Sequence, residues 1–313
     1  MRKKKIKIIF AGSTQFSFMH LKNISFTKHK IKAILTKKIK KFKKNNDIQK
    51  FSKKYNIPYF TFHTLENSKT YKIIHKFKAD LLIVVAYGLL IPEKILKLFP
   101  LGAINFHASI LPQLRGAAPI QWAILLGKKE TGVSAFFLNK NLDSGKIICS
   151  LKCPIEKKET YSTLSAKLVI LSLNILHQIL SIFAQKITPY SNYQNKKLIT
   201  YAPKIFKKQT QLYWTHSAKK LDRQIRAFYP SPNSFFFIKK IRIKVLKTKT
   251  QNIKKNKNLQ IGEIIKANKK GIYINTKKNI LILKKIQIQN KKPLYISDIL
   301  NSKKKWFLPG TIL

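Results

Sequence analysis

An amide, an imidazole and a hydroxyl stand at alternate positions, Asn105, His107 and Ser109, within AINFHASILPQLRGAAPIQ at residues 103–121. Side chains two apart on an extended chain share a face. A strand running from Asn105 to Ser109 would point these three polar groups one way and Phe106 and Ala108 the other. A carboxylate, Asp143, follows in NLDSGK. Together these groups suit acyl transfer in which a substrate's own nucleophile attacks a bound acyl group. The oxyanion that forms needs hydrogen-bond donors, which a protonated His107 and the Asn105 amide supply. An attacking amine must then lose a proton. Asp143 takes it, directly or through a water, and its charge also holds His107 protonated. Ser109 has the type of a nucleophile, but no G-x-S-x-G elbow surrounds it.

Each signal taken alone has a plainer reading. A histidine after a strand is usually structural, an asparagine forms turns, and Asp-Ser-Gly makes a hairpin turn. Pro112 and Gly116 serve as loop shapers. Spacing alone does not bring Asp143 to His107.

The elements that must position these groups read as α/β. Ile6 to Ala11 is a continuous apolar run, as in a strand buried on both faces. Gly12-Ser13-Thr14 turns into a helix near Phe16 to Leu21, the start of a doubly wound domain without a GxGxxG fingerprint. Further strands are expected at Ile31 to Thr36 and Asp80 to Tyr87, with another over Leu101 to Phe106 carrying the polar set. In open α/β sheets ligands gather at the carboxyl ends of strands, where Tyr87, Gly88 and residues 105–109 lie. Two more strands, Thr131 to Leu138 and Lys146 to Leu151, flank the NLDSG loop.

A helix from Thr160 carries no Asp, Glu, Lys or Arg from Leu168 to Gln185. That is the lower limit for a membrane span. Ser172, Asn174, His177, Gln178 and Ser181 interrupt it, so it reads as an amphipathic helix packed on the sheet, with no membrane expected.

Residues 1–185 thus form a catalytic domain. Pro189, Asn192, Asn195 and Pro203 break any period over 186–207, which reads as a linker. Residues 208–313 hold one helix near Ser217 to Phe228. Short strands follow at Phe235 to Ile238, Ile241 to Leu246, Ile261 to Ala267, Gly271 to Asn275 and Ile280 to Gln289, the texture of a small β-barrel.

The 313 residues carry 64 Lys+Arg against 11 Asp+Glu, a formal charge of +53, with 44% hydrophobic residues. The chain is core-bearing rather than disordered. Its charge attracts polyanions, although Lys-, Ile- and Asn-rich composition throughout accounts for most of the excess. The two cysteines, Cys149 and Cys153, read as reduced core residues of a cytoplasmic protein and cannot close a zinc site.

INFHASILPQLRGAAPIQ, with TGVSAFFLNKNLDSGKI downstream, resembles the formyltransferase family that uses 10-formyltetrahydrofolate, and RGAAPIQ resembles its methionyl-tRNA branch. IVVAYGLLIP, TYAPKI, LDRQIRAFYPSP and WFLPG extend the resemblance over nearly the whole chain. It implies a Rossmann-like formyltransferase domain with a C-terminal OB-like β-barrel domain. It implies catalytic roles for Asn105, His107 and Asp143, and folate contact through Ser109, Ile110, Leu111 and Pro112, beside Tyr87 and Gly88. The implied substrates are 10-formyltetrahydrofolate and methionyl initiator tRNA, with no metal and a monomeric enzyme.

The sequence departs from the family in three places. The insertion after the second strand is a shorter Lys-rich stretch, residues 37–46, whose Lys37, Lys38, Lys40, Lys41, Lys43 and Lys44 are expected, with Arg115, to meet tRNA. Gln113 stands where the family usually has a basic residue. Ser13-Thr14-Gln15 replaces the usual Thr-Pro-Asp. The rival readings are formylation of another amine, and an RNA-binding protein with a vestigial site.

Overall fold

The computed structural model describes residues 4–38, 47–253 and 259–313, with the backbone alone for 302–304. It divides the chain into two compact units, one of residues 1–119, 130–154 and 165–204, the other of 120–129, 155–164 and 205–313. Residues 186–204, read from sequence as a linker, therefore lie in the first unit.

The first unit is built on a seven-stranded sheet. Its strands are β1 (Lys7–Gly12), β2 (Lys30–Lys37), β3 (Tyr59–Phe62), β4 (Leu81–Val85), β5 (Ala103–His107), β6 (Glu130–Phe137) and β7 (Ile147–Pro154), in the order β3-β2-β1-β4-β5-β6-β7. The first five are parallel, while β6 pairs antiparallel to β5 and β7 antiparallel to β6. Ile8, Ile9, Phe10 and Ala11 of β1 and all of β4 are buried, as strands covered by helices on both faces must be. The strand order reverses between β1 and β4, and the cleft at their carboxyl ends is where such sheets take ligands.

Helix α1 (Gln15–Ser25) begins at that cleft. Thr14 caps it: its Oγ1 accepts the Ser17 N–H at 3.3 Å, and the Ser17 Oγ accepts the Thr14 N–H at 2.7 Å. Gly12 is required there, because a Cβ would lie 2.4 Å from Ser17 Cβ and 2.9 Å from Val85 O. Helices α2 (Asp47–Lys54), α3 (Ser68–His75) and the short α4 (Glu93–Leu96) connect strands of this sheet. Helix α5 (Pro119–Leu125) falls, but for Pro119, in the second unit, and the 24-residue α6 (Tyr161–Ala184), which follows β7, belongs to the first unit from Ser165 on. Helix α6 is long and apolar enough to cross a membrane. Nevertheless Leu168, Ile175, Leu176, Ile179, Leu180 and Phe183 are buried along it, as an amphipathic core helix requires. Neither cysteine is in a disulfide; Cys153 is buried and Cys149 half-buried on β7.

The second unit carries α7 (Ala218–Phe228) and an antiparallel, barrel-like sheet. Its strands are β8 (Ser234–Ile238), β9 (Ile241–Gln251), β10 (Ile264–Asn268), β11 (Gly271–Asn275) and β12 (Ile280–Ile288), ordered β10-β11-β12-β9-β8, with β13 (Leu294–Tyr295) on β12. Helix α8 (Ile296–Lys303) follows. Trp214, Leu221, Ile225, Phe236, Ile243, Ile272, Leu283 and Phe307 form its core. The turn between β8 and β9 places Lys239 and Lys240 at φ 45° and 64°. Hairpin twist demands that conformation even where lysine must adopt it.

Candidate active site

Asn105 and His107 leave β5 on one face and meet the same carboxylate. Asn105 Nδ2 lies 3.5 Å from Asp143 Oδ1, and His107 Nδ1 lies 3.7 Å from Asp143 Oδ2. Both distances are long for strong hydrogen bonds. Asp143 comes from the loop joining β6 to β7. That loop leaves beside the start of β5, where Leu138 N–H donates to Ala103 O, and bends back along the strand. The bend of that loop back along β5 thus supplies the proximity that spacing could not.

His107 is buried, and its Nε2 sits 2.8 Å from the Leu114 carbonyl oxygen. A carbonyl only accepts, so Nε2 carries the hydrogen and Nδ1 is the ring atom left for chemistry. Nδ1 donates only when the ring is charged. Leu114 turns its carbonyl to the imidazole with a left-handed backbone, φ 59°. Asn105 Oδ1 is buried without a hydrogen-bond partner among the described residues, an acceptor left open inside the site.

Asp143 itself has φ 45°, a conformation costing about 1 kcal/mol or more for a residue with a Cβ. Three contacts hold it. Gly116 N–H donates to Oδ2 at 2.7 Å, and Gln194 Nε2 donates to the Asp143 and Gly145 carbonyls at 2.9 and 2.8 Å. Gln194 Oε1 in turn accepts from Arg115 Nη2 at 2.6 Å and Nε at 3.1 Å. A side chain at Gly145 would place its Cβ 1.6 Å from Phe137 O, and one at Gly116, φ 118°, 2.8 Å from Ala202 O.

Residues 192–202 form the outer wall of this framework. Thr200 Oγ1 accepts the Leu114 N–H at 2.9 Å, Thr200 O accepts the Arg115 N–H at 2.9 Å, and Ala202 N–H donates to Arg115 O at 2.7 Å. Sequence reasoning passed over Gln194 and Thr200, because an aperiodic stretch carries no signal for docking. It also passed over Ser134, whose hydroxyl lies 3.0 Å from Leu111 N and 2.8 Å from Ser109 O and pins that loop. A serine within the apolar run VSAFF was the available clue.

Other expected site residues fall as follows. The strand ends at His107, so Ser109 does not share its face. Its hydroxyl donates instead to Gln113 O at 2.6 Å and closes the loop containing Ile110 and the buried Leu111 and Pro112. Ile110 packs where a Cβ on Gly132 would come within 2.3 Å of its Cδ1. Tyr87 is buried in the sheet's core cluster, and burial pushes its phenol upward. Gly88 O accepts Lys37 Nζ at 2.9 Å, and Ser13 Oγ accepts Lys37 N–H at 2.9 Å while lying 3.2 Å from Tyr87 O. These contacts link the carboxyl ends of β1, β2 and β4. Lys38 is exposed, whereas Lys40, Lys41, Lys43 and Lys44 lie outside the described residues. Arg115, expected at a phosphate, is buried with its guanidinium on Gln194. It is a part of the site's framework, because a buried guanidinium takes its acceptors from the protein. Among the described residues, no group of three or more His, Cys, Asp or Glu could hold a metal ion.

Comparison with known proteins covers both units. Residues 4–180 match the family described as formyl transferase, and residues 204–304 match formyl transferase, C-terminal domain. Methionyl-tRNA formyltransferase of Buchnera aphidicola subsp. Baizongia pistaciae is 42% identical, covering 98% of this chain and 97% of that protein. The same enzyme of Blochmanniella pennsylvanica is 38% identical, covering 99% and 98%. Among solved structures, HypX from Aquifex aeolicus in complex with tetrahydrofolic acid aligns with TM-score 0.64 at 13% identity, over 95% of this chain and 47% of that one. An N-formyltransferase from Helicobacter canadensis aligns with TM-score 0.65 at 16% identity, over 89% and 98%. At these identities the solved structures share the fold.

Proposed function

The chain belongs to the formyl transferase family along both of its units, and on that premise we propose that it moves the formyl group of 10-formyltetrahydrofolate to the α-amine of methionyl initiator tRNA. The observation that carries the chemistry is the meeting of Asn105 and His107 with Asp143, at 3.5 and 3.7 Å. Relatives of 38–42% identity and nearly equal length, all methionyl-tRNA formyltransferases, support this acceptor.

The residues divide the work as follows. An α-amine has a pKa of roughly 7.7–8.0, and the adjacent ester of an aminoacyl-tRNA lowers it. A neutral fraction is therefore present near pH 7, and no strong base is needed before attack. As the amine adds to the formyl carbon, negative charge grows on the formyl oxygen. Asn105 Nδ2–H and His107 Nδ1–H are the donors for it. Asp143 takes the proton the amine loses. The folate nitrogen gains a proton as its bond to the formyl carbon breaks, so the two products are a formamide and tetrahydrofolate. The 109–112 loop and the Tyr87-Gly88 turn form the folate side of the site.

For the tRNA, Lys37, Lys38 and the lysine stretch after them meet the acceptor stem, and basic faces of the C-terminal unit hold the body. Exposed Lys247 and Lys249 on β9 and Lys269 and Lys270 after β10 support that role. Arg115 is left to the framework. The reaction belongs to translation initiation in the cytoplasm.

The test is a transfer assay with 10-formyltetrahydrofolate and three acceptors: methionyl initiator tRNA, free methionine and a nucleotide-linked amino sugar. Formylation of the tRNA alone supports the proposal. Formylation of the sugar, or of none with tRNA still bound, replaces it with one of the rival readings.

A further inference from the structure

Gln194 lies 51 residues along the chain from Asp143 and 79 from Arg115, yet its amide is saturated by them. Nε2 has two hydrogens and Oε1 two lone pairs. The two hydrogens go to the carbonyls of Asp143 and Gly145, and the oxygen accepts both Arg115 Nε and Nη2. Arg115 is buried and fixes which end of the amide carries the oxygen. Only the amide oxygen can face the guanidinium, so the N–H₂ must face the loop. The residue it grips has a left-handed backbone, φ 45° at Asp143, and the loop has no helix or strand of its own to hold it.

We infer that Gln194, oriented by Arg115, is a positioning residue that holds the Asp143 carboxylate at the distance formyl transfer requires. The inference rests on the role of Asp143 proposed above. Gln194 touches no reacting atom. It acts by keeping the loop in the one conformation that turns the carboxylate between Asn105 and His107. Chain entropy otherwise favours a relaxed loop, and a displacement of about 1 Å at a reacting group costs on the order of 10²-fold in rate.

One amide reports the carboxylate's position without any substrate. Gly116 N–H donates to Asp143 Oδ2 at 2.7 Å, so its hydrogen exchange quickens when the carboxylate leaves. The experiment compares the wild type with Gln194→Met, which keeps the side chain's length and loses every polar contact. It adds Gln194→Glu, which keeps the acceptor for Arg115 but aims a carboxylate oxygen at two carbonyls. Expected are faster exchange at Gly116 in both variants and kcat for formyl transfer lower by about 10², with KM for folate and tRNA unchanged. Gln194→Glu should be no better than Gln194→Met. Wild-type kcat and wild-type Gly116 exchange in Gln194→Met would overturn the inference. So would a fall in thermal stability alone, with kcat per folded molecule unchanged. An inactive wild type would count against the proposed function, and the Gly116 exchange would still decide the clamp.

Discussion

The Leu114 carbonyl oxygen occupies His107 Nε2 at 2.8 Å and so assigns Nδ1 to the chemistry. This predicts unequal effects from two amide substitutions. Asparagine places its nitrogen near the position of Nδ1, and glutamine places its own near that of Nε2. His107→Gln should therefore keep the Leu114 contact and lose the donor to the substrate, with kcat down roughly 10²–10³. His107→Asn should retain more of it. Steady-state rates of the two folded variants check the order, and a more active His107→Gln would reverse the assignment of the ring.

Gly145 predicts a packing failure at the same site. Its added Cβ would lie 1.6 Å from Phe137 O, so Gly145→Ala must move the loop or the strand. A loss of about 1–3 kcal/mol in stability is expected, with formyl transfer lost more steeply than the fold. Denaturant melts and activity on the same preparation separate the two effects.

How far the site could be read from the chain follows from which interactions are local. Asn105 and His107 share a face because a strand alternates, and two residues suffice to see it. The apolar runs of β1 and β4 likewise declared themselves. Ser109 was placed one step too far along the strand, because nothing in its type distinguishes a strand residue from a loop-closing hydroxyl. Asp143 is brought in by the loop after β6, which leaves at the start of β5 and bends back along it, a course no period encodes. Only the order of family motifs suggested it. Gln194 and Thr200 were hidden for the same reason at greater range: their side-chain bonds reach partners 49 to 86 residues away, and bonds at that range leave no period in the sequence.

Beneath the same strand, His20 predicts an acid limit. It is buried between the Phe16 carbonyl at 2.9 Å and Ser172 Oγ at 2.5 Å, with Phe106 5.7 Å from its ring. Burial lowers its pKa from 6.5 to about 4. The unfolded chain therefore binds a proton that the folded chain refuses. Stability is full above pH 6.5 and falls as the pH drops toward 4, by about 3 kcal/mol from this group. Urea titrations at several pH values should show a flatter dependence in His20→Gln than in the wild type. Parallel curves would remove His20 from the acid response.

The charge of +53 predicts salt-sensitive tRNA binding. With six to ten phosphates neutralised, affinity should fall roughly 10³–10⁵-fold between 50 and 200 mM salt. Lysines meet phosphates as point charges and read no bases, so the preference for initiator tRNA should survive the change. Equal formylation of a methionylated elongator tRNA would contradict that preference.

The most direct test of the Asn105, His107 and Asp143 site is the single-turnover rate of formyl transfer in Asp143→Asn, with folate and methionyl initiator tRNA both saturating. The carboxamide can still accept the Gly116 N–H, so the fold and tRNA binding should persist. Without the carboxylate the amine proton has no taker, and transfer should slow by roughly 10²–10⁴. A rate within a few-fold of wild type would show that the carboxylate is not part of the chemistry.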